Sequence, residues 1–394
     1  MNKWIRLSCF IILFTASACS FDLLADRKPI NEMDLENQSK ETKHEKEREK
    51  LSVSPKKRTS APTVTTVSFS AIGDVLIHSQ IYKDAQFADG SYNFQPMFAQ
   101  VKLILQEADL AMANQESVIG GRELGISSYP LFNSPFEVAD ALKDAGIDIV
   151  STANNHSLDR GEKGILNAIS HYEKIGMLYV GSYKDEIDAN TMRIQTINGI
   201  KIGFLSYTYG TNGIPLPKDK PYLVNLIDKQ KISLDLNNMD KLVDVTIVNM
   251  HWGQEYHQYP NEEQKQLAQF LVDNGADLII GHHPHVLQPL QWMEGKRGNH
   301  AMVVYSLGNF LSGQKGGNKD IGGIFSIDLI KLSDENNTTM TLANPRLTPT
   351  YVTKNEHQHY YVSLLENLDK AKSESVMKHM FQWIETEKVT NLLQ

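Results

Sequence analysis

Ala276-Asp277-Leu278-Ile279-Ile280-Gly281-His282-His283-Pro284-His285 is an apolar run that leads directly into three histidines within four residues. The run reads as a parallel strand buried on both faces, and open α/β sheets carry their ligand sites at the carboxyl ends of such strands. Pro284 stiffens the loop. Neutral imidazole is the commonest metal-ligating side chain, so the cluster points to a metal site.

Working outward, the same arrangement recurs. Thr65 to Ile72 is a β-rich run that ends at Gly73-Asp74, with His78 four residues further on. Apolar residues at helical spacing from Asn93 to Glu107 predict a helix, after which the strand Asp109 to Ala113 delivers Asn114-Gln115-Glu116. A helix from Pro135 to Ala145 and a strand from Gly146 to Ser151 then present Asn154-Asn155-His156, followed by Asp159 and a helix from Gly164 to Ile175. Asn198-Gly199 marks a hairpin. The strand Asp244 to Met250 ends in His251, and a helix from Glu262 to Asn274 precedes the histidine loop. The junctions at Asp109, Asp148 and Asp277 are alike, which reads as repeated β-α-β geometry in two sheets. Residues from Tyr361 to Leu393 read as packing helices.

Asp74, Glu116, Asn155 with His156, His251, and His283 with His285 thus stand after separate strands. A lone aspartate or histidine at a strand end is ordinarily a cap or surface filler, but coincidence at every strand end is not. Mixed oxygen and imidazole donors suit manganese, zinc or iron better than calcium.

The chain has 394 residues, 41% hydrophobic, with a net charge of -8. This composition supports a large core and opposes nucleic-acid binding, which needs a basic face. Lys3 and Arg6, the apolar run Cys9 to Phe14 and the small residues Ala16-Ser17-Ala18 form a secretory signal, too short to span a bilayer. Ala16-Ser17-Ala18-Cys19 is similar to a bacterial lipoprotein box, which implies cleavage before Cys19 and a lipid anchor on it. Cys9 and Cys19 are the only cysteines, so no disulfide is expected in the mature protein. Residues 20–64 read as a charged, disordered tether, 65–330 as the folded domain, and 331–394 as a C-terminal β extension with helices.

Gly73-Asp74, Asn114-Gln115-Glu116, Asn154 to Gly161, His251 to Tyr256, Gly281 to Val286 and Tyr305 to Phe310 together resemble the bacterial CapA/PgsA-type capsule proteins of poly-γ-glutamate synthesis, within the calcineurin-like metallophosphoesterase superfamily. The resemblance implies a four-layer α/β/β/α sandwich, an extracytoplasmic membrane-associated location, a divalent metal, and partnership with an anionic polyglutamate polymer and the membrane-bound synthetase subunits. It implies Asp74, Glu116, Asn155, His251, His283 and His285 as metal ligands, and His156 with Asp159 as catalytic groups. His282 is expected to point away. The superfamily's usual Asp-x-His opening is replaced here, since Leu76 follows Asp74 by two. Phosphoester hydrolysis, amide hydrolysis and a non-catalytic scaffold are all compatible with this set. Lys315, Lys319, Arg160 and Lys163 are candidates for contacting a polyanion.

Overall fold

A computed structural model describes residues 62–384. The signal, Cys9, Cys19, nearly all of the tether, and residues 385–394 lie outside the described residues. Within them the strands are, in chain order, β1 (Thr63–Leu76), β2 (Leu110–Gln115), β3 (Ile149–Ser151), β4 (Leu178–Val180), β5 (Arg193–Ile197), β6 (Ile200–Thr208), β7 (Val245–His251), β8 (Leu278–His282), β9 (Leu287–Glu294), β10 (His300–Leu307), β11 (Asn309–Ser312), β12 (Ile321–Ser333), β13 (Thr338–Lys354) and β14 (Tyr360–Leu364). The longer helices are α1 (Glu137–Ala145), α2 (Gly161–Ile175), α3 (Lys229–Asp240), α4 (Glu262–Asp273) and α5 (Lys370–Met380).

Two sheets form. The larger runs β14-β13-β12-β1-β2-β3-β4, with β11 paired to the end of β1; the smaller runs β5-β6-β7-β8-β10-β9. β1 to β4 are mutually parallel, as are β6, β7, β8 and β10. Alternation along these strands sends side chains to two different cores, which is why the sequence reads as continuous apolar runs. Met112, Ile247, Leu278 and Ile280 enter the core between the sheets, where Phe69 and Phe204 meet with ring centroids 6.5 Å apart. Ala111, Ala113 and Val150 instead pack under Val138 and Leu142 of α1 and Ile165 and Ile169 of α2. Val248 and Ile279 pack under α3 and α4 through Leu236, Met239, Leu267 and Leu271. The result is a four-layer α/β/β/α sandwich.

The repeated aspartate junctions have a specific role. Asp109 accepts the N–H of Ser68 (2.8 Å), Asp148 that of Ala111 (3.1 Å) and Asp277 that of Thr246 (2.8 Å). Asp244 does the same for Lys201 (2.8 Å). Each carboxylate satisfies a backbone donor of the neighbouring strand one residue before the ladder between the two strands begins. The strands are thereby aligned at one end, and their carboxyl ends converge at the other.

Three sequence expectations are corrected. The stretch Asn93–Glu107 is not one helix but two short pieces, Gln95–Phe98 and Lys102–Gln106. Tight i to i+3 bonds, Ala99 to Pro96 and Val101 to Phe98, separate them, although Phe94, Met97, Phe98, Val101 and Leu105 are buried as their spacing suggests. Tyr360–Leu364 is a strand, not helix, with Tyr360 and Val362 turned into the core. α2 begins at Gly161, three residues before the expected start. β12 to β14 extend the larger sheet beyond β1, so residues after 331 share its hydrogen-bond ladder.

Candidate metal centre

Asp74 lies where β1 bends toward the turn between β10 and β11. Its N–H donates to Gly308 O (2.8 Å), and a Cβ on Gly73 would stand 2.0 Å from that same oxygen. Only glycine at 73 permits the approach. The Asp74 carboxylate is fully buried and accepts from three donors: Asn114 Nδ2 at 2.8 Å, His285 Nδ1 at 3.1 Å and the His283 N–H at 3.3 Å. His282 Nδ1 lies 3.4 Å from its other side. His282 therefore faces Asp74 rather than away from it. β8 runs on through residue 282, so Leu278, Ile280 and His282 alternate onto the same inter-sheet face.

Glu116 follows β2 and is also fully buried. Its Oε1 lies 3.7 Å from His251 Nε2 and 3.7 Å from His285 Nε2, and neither carboxylate oxygen has a hydrogen-bond partner. His251 closes β7, with Nε2 2.9 Å from Asn155 Oδ1 and with Nδ1 unpartnered. His283 and His285 both take left-handed backbone conformations (φ 96° and 57°), which side chains rarely adopt. Such strain concentrates at functional sites.

Burial would raise the Asp74 carboxyl, but hydrogen bonds from His282 and His285 hold it well below the usual range. Glu116 has no such bonds, and burial pushes it well above. Burial lowers His251 strongly and His283 to about 3, leaving both neutral. His285 goes the other way: burial alone would depress it, but Glu116 and Asp74 carry it up to about 9.

This set fits a divalent cation. A buried carboxylate without partners is costly unless a positive charge completes it, and neutral imidazoles with free ring nitrogens are the ligand form of histidine. Two groups of ligand atoms lie within 4.8 Å of one another, Glu116-His251-His283 and Asp74-Glu116-His285. Glu116 belongs to both groups.

His156 and Asp159 form a pair beside this centre. His156 Nδ1 donates to Asp159 Oδ2 at 2.7 Å, and the same oxygen accepts the Phe132 N–H at 2.7 Å. The Phe132 ring meets His156 edge-on at 4.7 Å. With Nδ1 engaged, Nε2 is the nitrogen left for proton transfer. Asn154 braces the loop by accepting the His156 N–H (3.0 Å) and donating to Gln115 O (2.9 Å).

Several contributors carried no sequence signal of their own. Asn114 fixes Asp74; Tyr209 lies against His251 and His283; Glu255 stands exposed at the mouth. Leu76 occupies the interior, and His78 Nδ1 accepts the Gly313 N–H (3.2 Å), so His78 does not take the missing place of Asp-x-His. Lys319 sits over the Tyr256 ring (4.8 Å) and Lys315 over Tyr360 (5.5 Å). Arg160 donates to Ser127 Oγ and Leu131 O, while Lys163 is exposed.

Residues 68–314 match the family described as bacterial capsule synthesis protein PGA_cap. The chain is 29% identical over 279 residues to the PGA biosynthesis protein CapA of Bacillus subtilis, covering 66% of each chain. It is 35% identical over 182 residues to the capsule biosynthesis protein CapA of Bacillus anthracis, covering 45% of this chain and 43% of that one. The matched regions thus span less than two thirds of these relatives. Among solved structures, a 5'-nucleotidase precursor from Thermus thermophilus aligns with a TM-score of 0.44 and 11% identity, over 81% of this chain and 59% of that one.

Proposed function

Because the chain belongs to the bacterial capsule synthesis protein family, we propose that it serves the synthesis or export of an anionic γ-linked polyglutamate, using a divalent metal centre on the outer face of the cytoplasmic membrane. The observation that carries the metal-dependent part is Glu116, a buried carboxylate with no hydrogen-bond partner, set between His251 and His285. In this reading Cys19 carries the lipid anchor, residues 20–64 reach from the membrane to the domain, and the synthetase subunits are the partners.

Asp74, Glu116, Asn155, His251, His283 and His285 would hold the ions, of manganese, zinc or iron type. When bound, such ions polarise an acyl or phosphoryl oxygen and lower the pKa of water. Asn114 holds one Asp74 oxygen and leaves the other toward the histidine loop. Asp159 fixes the His156 ring so that Nε2 can give a proton to a leaving group. Lys319 and Lys315, held by tyrosine rings, offer positive charge to a polyacid that the overall charge of -8 would repel.

Deletion of the gene followed by measurement of envelope polyglutamate tests the assignment: a fall is expected, and an unchanged level removes it. Cys19→Ala should abolish lipid labelling and release the protein from the membrane fraction. Failure of the unaltered protein to take up labelled lipid would remove the anchor.

A further inference from the structure

Glu255 is not among the ligands assigned above, yet it completes a third group. Its carboxylate and ring nitrogens of His283 and His285 lie within 4.8 Å of one another. His283 also belongs to the group of Glu116 and His251, and His285 to that of Asp74 and Glu116. Glu255 is therefore the counterpart of Glu116. Glu255 shares His283 with the first of these groups and His285 with the second, and it stands on the exposed side whereas Glu116 is fully buried.

The placement is built into the backbone. The N–H of Tyr256 donates to the carbonyl of Pro284, the residue between the two histidines, at 2.7 Å. Residues on both sides of this link take left-handed conformations: Gly253 (φ 84°) and Tyr256 (φ 68°) around Glu255, and His283 (φ 96°) and His285 (φ 57°) around Pro284. Three of these four carry side chains, for which this conformation is strained. The loop after β7 is thus pinned to the loop after β8 in the one register that brings Glu255 to the histidines. His283 Nδ1 is buried there without a hydrogen-bond partner.

We propose that Glu255 is a metal ligand on the solvent side of the centre, an exchangeable carboxylate that an incoming anion displaces. The inference rests on the metal reading given above. Glu116 is enclosed and cannot move aside, whereas Glu255 can swing into water, where its charge is solvated. The group that takes its place must offer an oxygen anion, so the substrate class is a carboxylate or phosphoryl compound presented from the mouth.

The test compares the purified wild-type protein and E255Q, both loaded with Mn2+. Chelator-driven Mn2+ release is followed by electron paramagnetic resonance, and affinity for inorganic phosphate by titration calorimetry. E255Q should release Mn2+ about tenfold faster, as expected for loss of one coordinating or supporting group. It should bind phosphate correspondingly tighter, because the competing carboxylate is gone. Thermal unfolding in chelator should coincide for the two proteins, since Glu255 is exposed. An unchanged release rate, or phosphate binding that is unchanged or weaker, overturns the proposal while leaving the inner centre standing. A wild-type protein that takes up no Mn2+ overturns the metal reading and this inference with it.

Discussion

Glu116→Gln should change the sign of its effect on stability according to whether metal is present. In chelator the wild type keeps a buried carboxyl without hydrogen-bond partners, raised well above the usual range by burial, with the His251 and His285 rings each 3.7 Å away. A carboxyl raised in the folded state costs stability at neutral pH, so removing it should stabilise the metal-free protein by about 1–2 kcal/mol. For a chain of this size that is a rise in Tm of roughly 1–3 °C. In Mn2+ at a hundredfold excess over Kd, the wild type gains about 2.7 kcal/mol per site. The variant, lacking the carboxylate shared by both positions, gains much less. Scanning calorimetry should therefore find the variant above the wild type in chelator and below it in Mn2+. The same order under both conditions would refute the assignment of Glu116 as the shared ligand.

Asp277 is partly buried, and burial raises its carboxyl to about 7 despite the Thr246 N–H bond. A carboxyl raised in the folded state penalises stability increasingly as pH climbs from the unfolded value toward 7. Asp277→Asn should then raise Tm at pH 8 by the equivalent of about 1 kcal/mol, discounted for exposure, and have little effect at pH 4, as read by thermal melts at the two pH values. Gly281→Ala would place a Cβ 1.9 Å from Tyr305 O and 2.6 Å from Trp252 Nε1, so a loss of about 4 kcal/mol or more is expected in urea unfolding. Asp159→Ala removes the acceptor that orients His156; envelope polyglutamate should fall while Mn2+ affinity stays within about twofold, because neither residue belongs to the cation groups.

Much of the fold was legible because strands buried on both faces leave continuous apolar runs, and because the aspartates at 109, 148 and 277 mark where each begins. The convergence of Asp74, Glu116, His251, His283 and His285 followed from their places after parallel strands, whose carboxyl ends share one edge. What stayed hidden depends on where an element stops. The His-x-His spacing of the resemblance led to the expectation that His282 points away, whereas two further residues of β8 turn it to Asp74. The break between Phe98 and Lys102 was invisible because the apolar spacing continues through it. Asn114 and Glu255 were quoted within motifs but had no assignable role, since each acts through contacts far away in sequence: Asn114 Nδ2 with Asp74, and Glu255 with His283 and His285.

The most direct measurement is envelope polyglutamate in a deletion strain complemented with either the intact protein or a His251→Ala, His283→Ala double variant, with metal content determined on both purified proteins. Both residues are buried with neutral rings, so on this account the variant should accumulate in the envelope, bind little metal and fail to restore the polymer, while the intact protein binds metal and restores it. Full restoration by the metal-poor variant would contradict a metal-dependent role and leave a scaffold in its place.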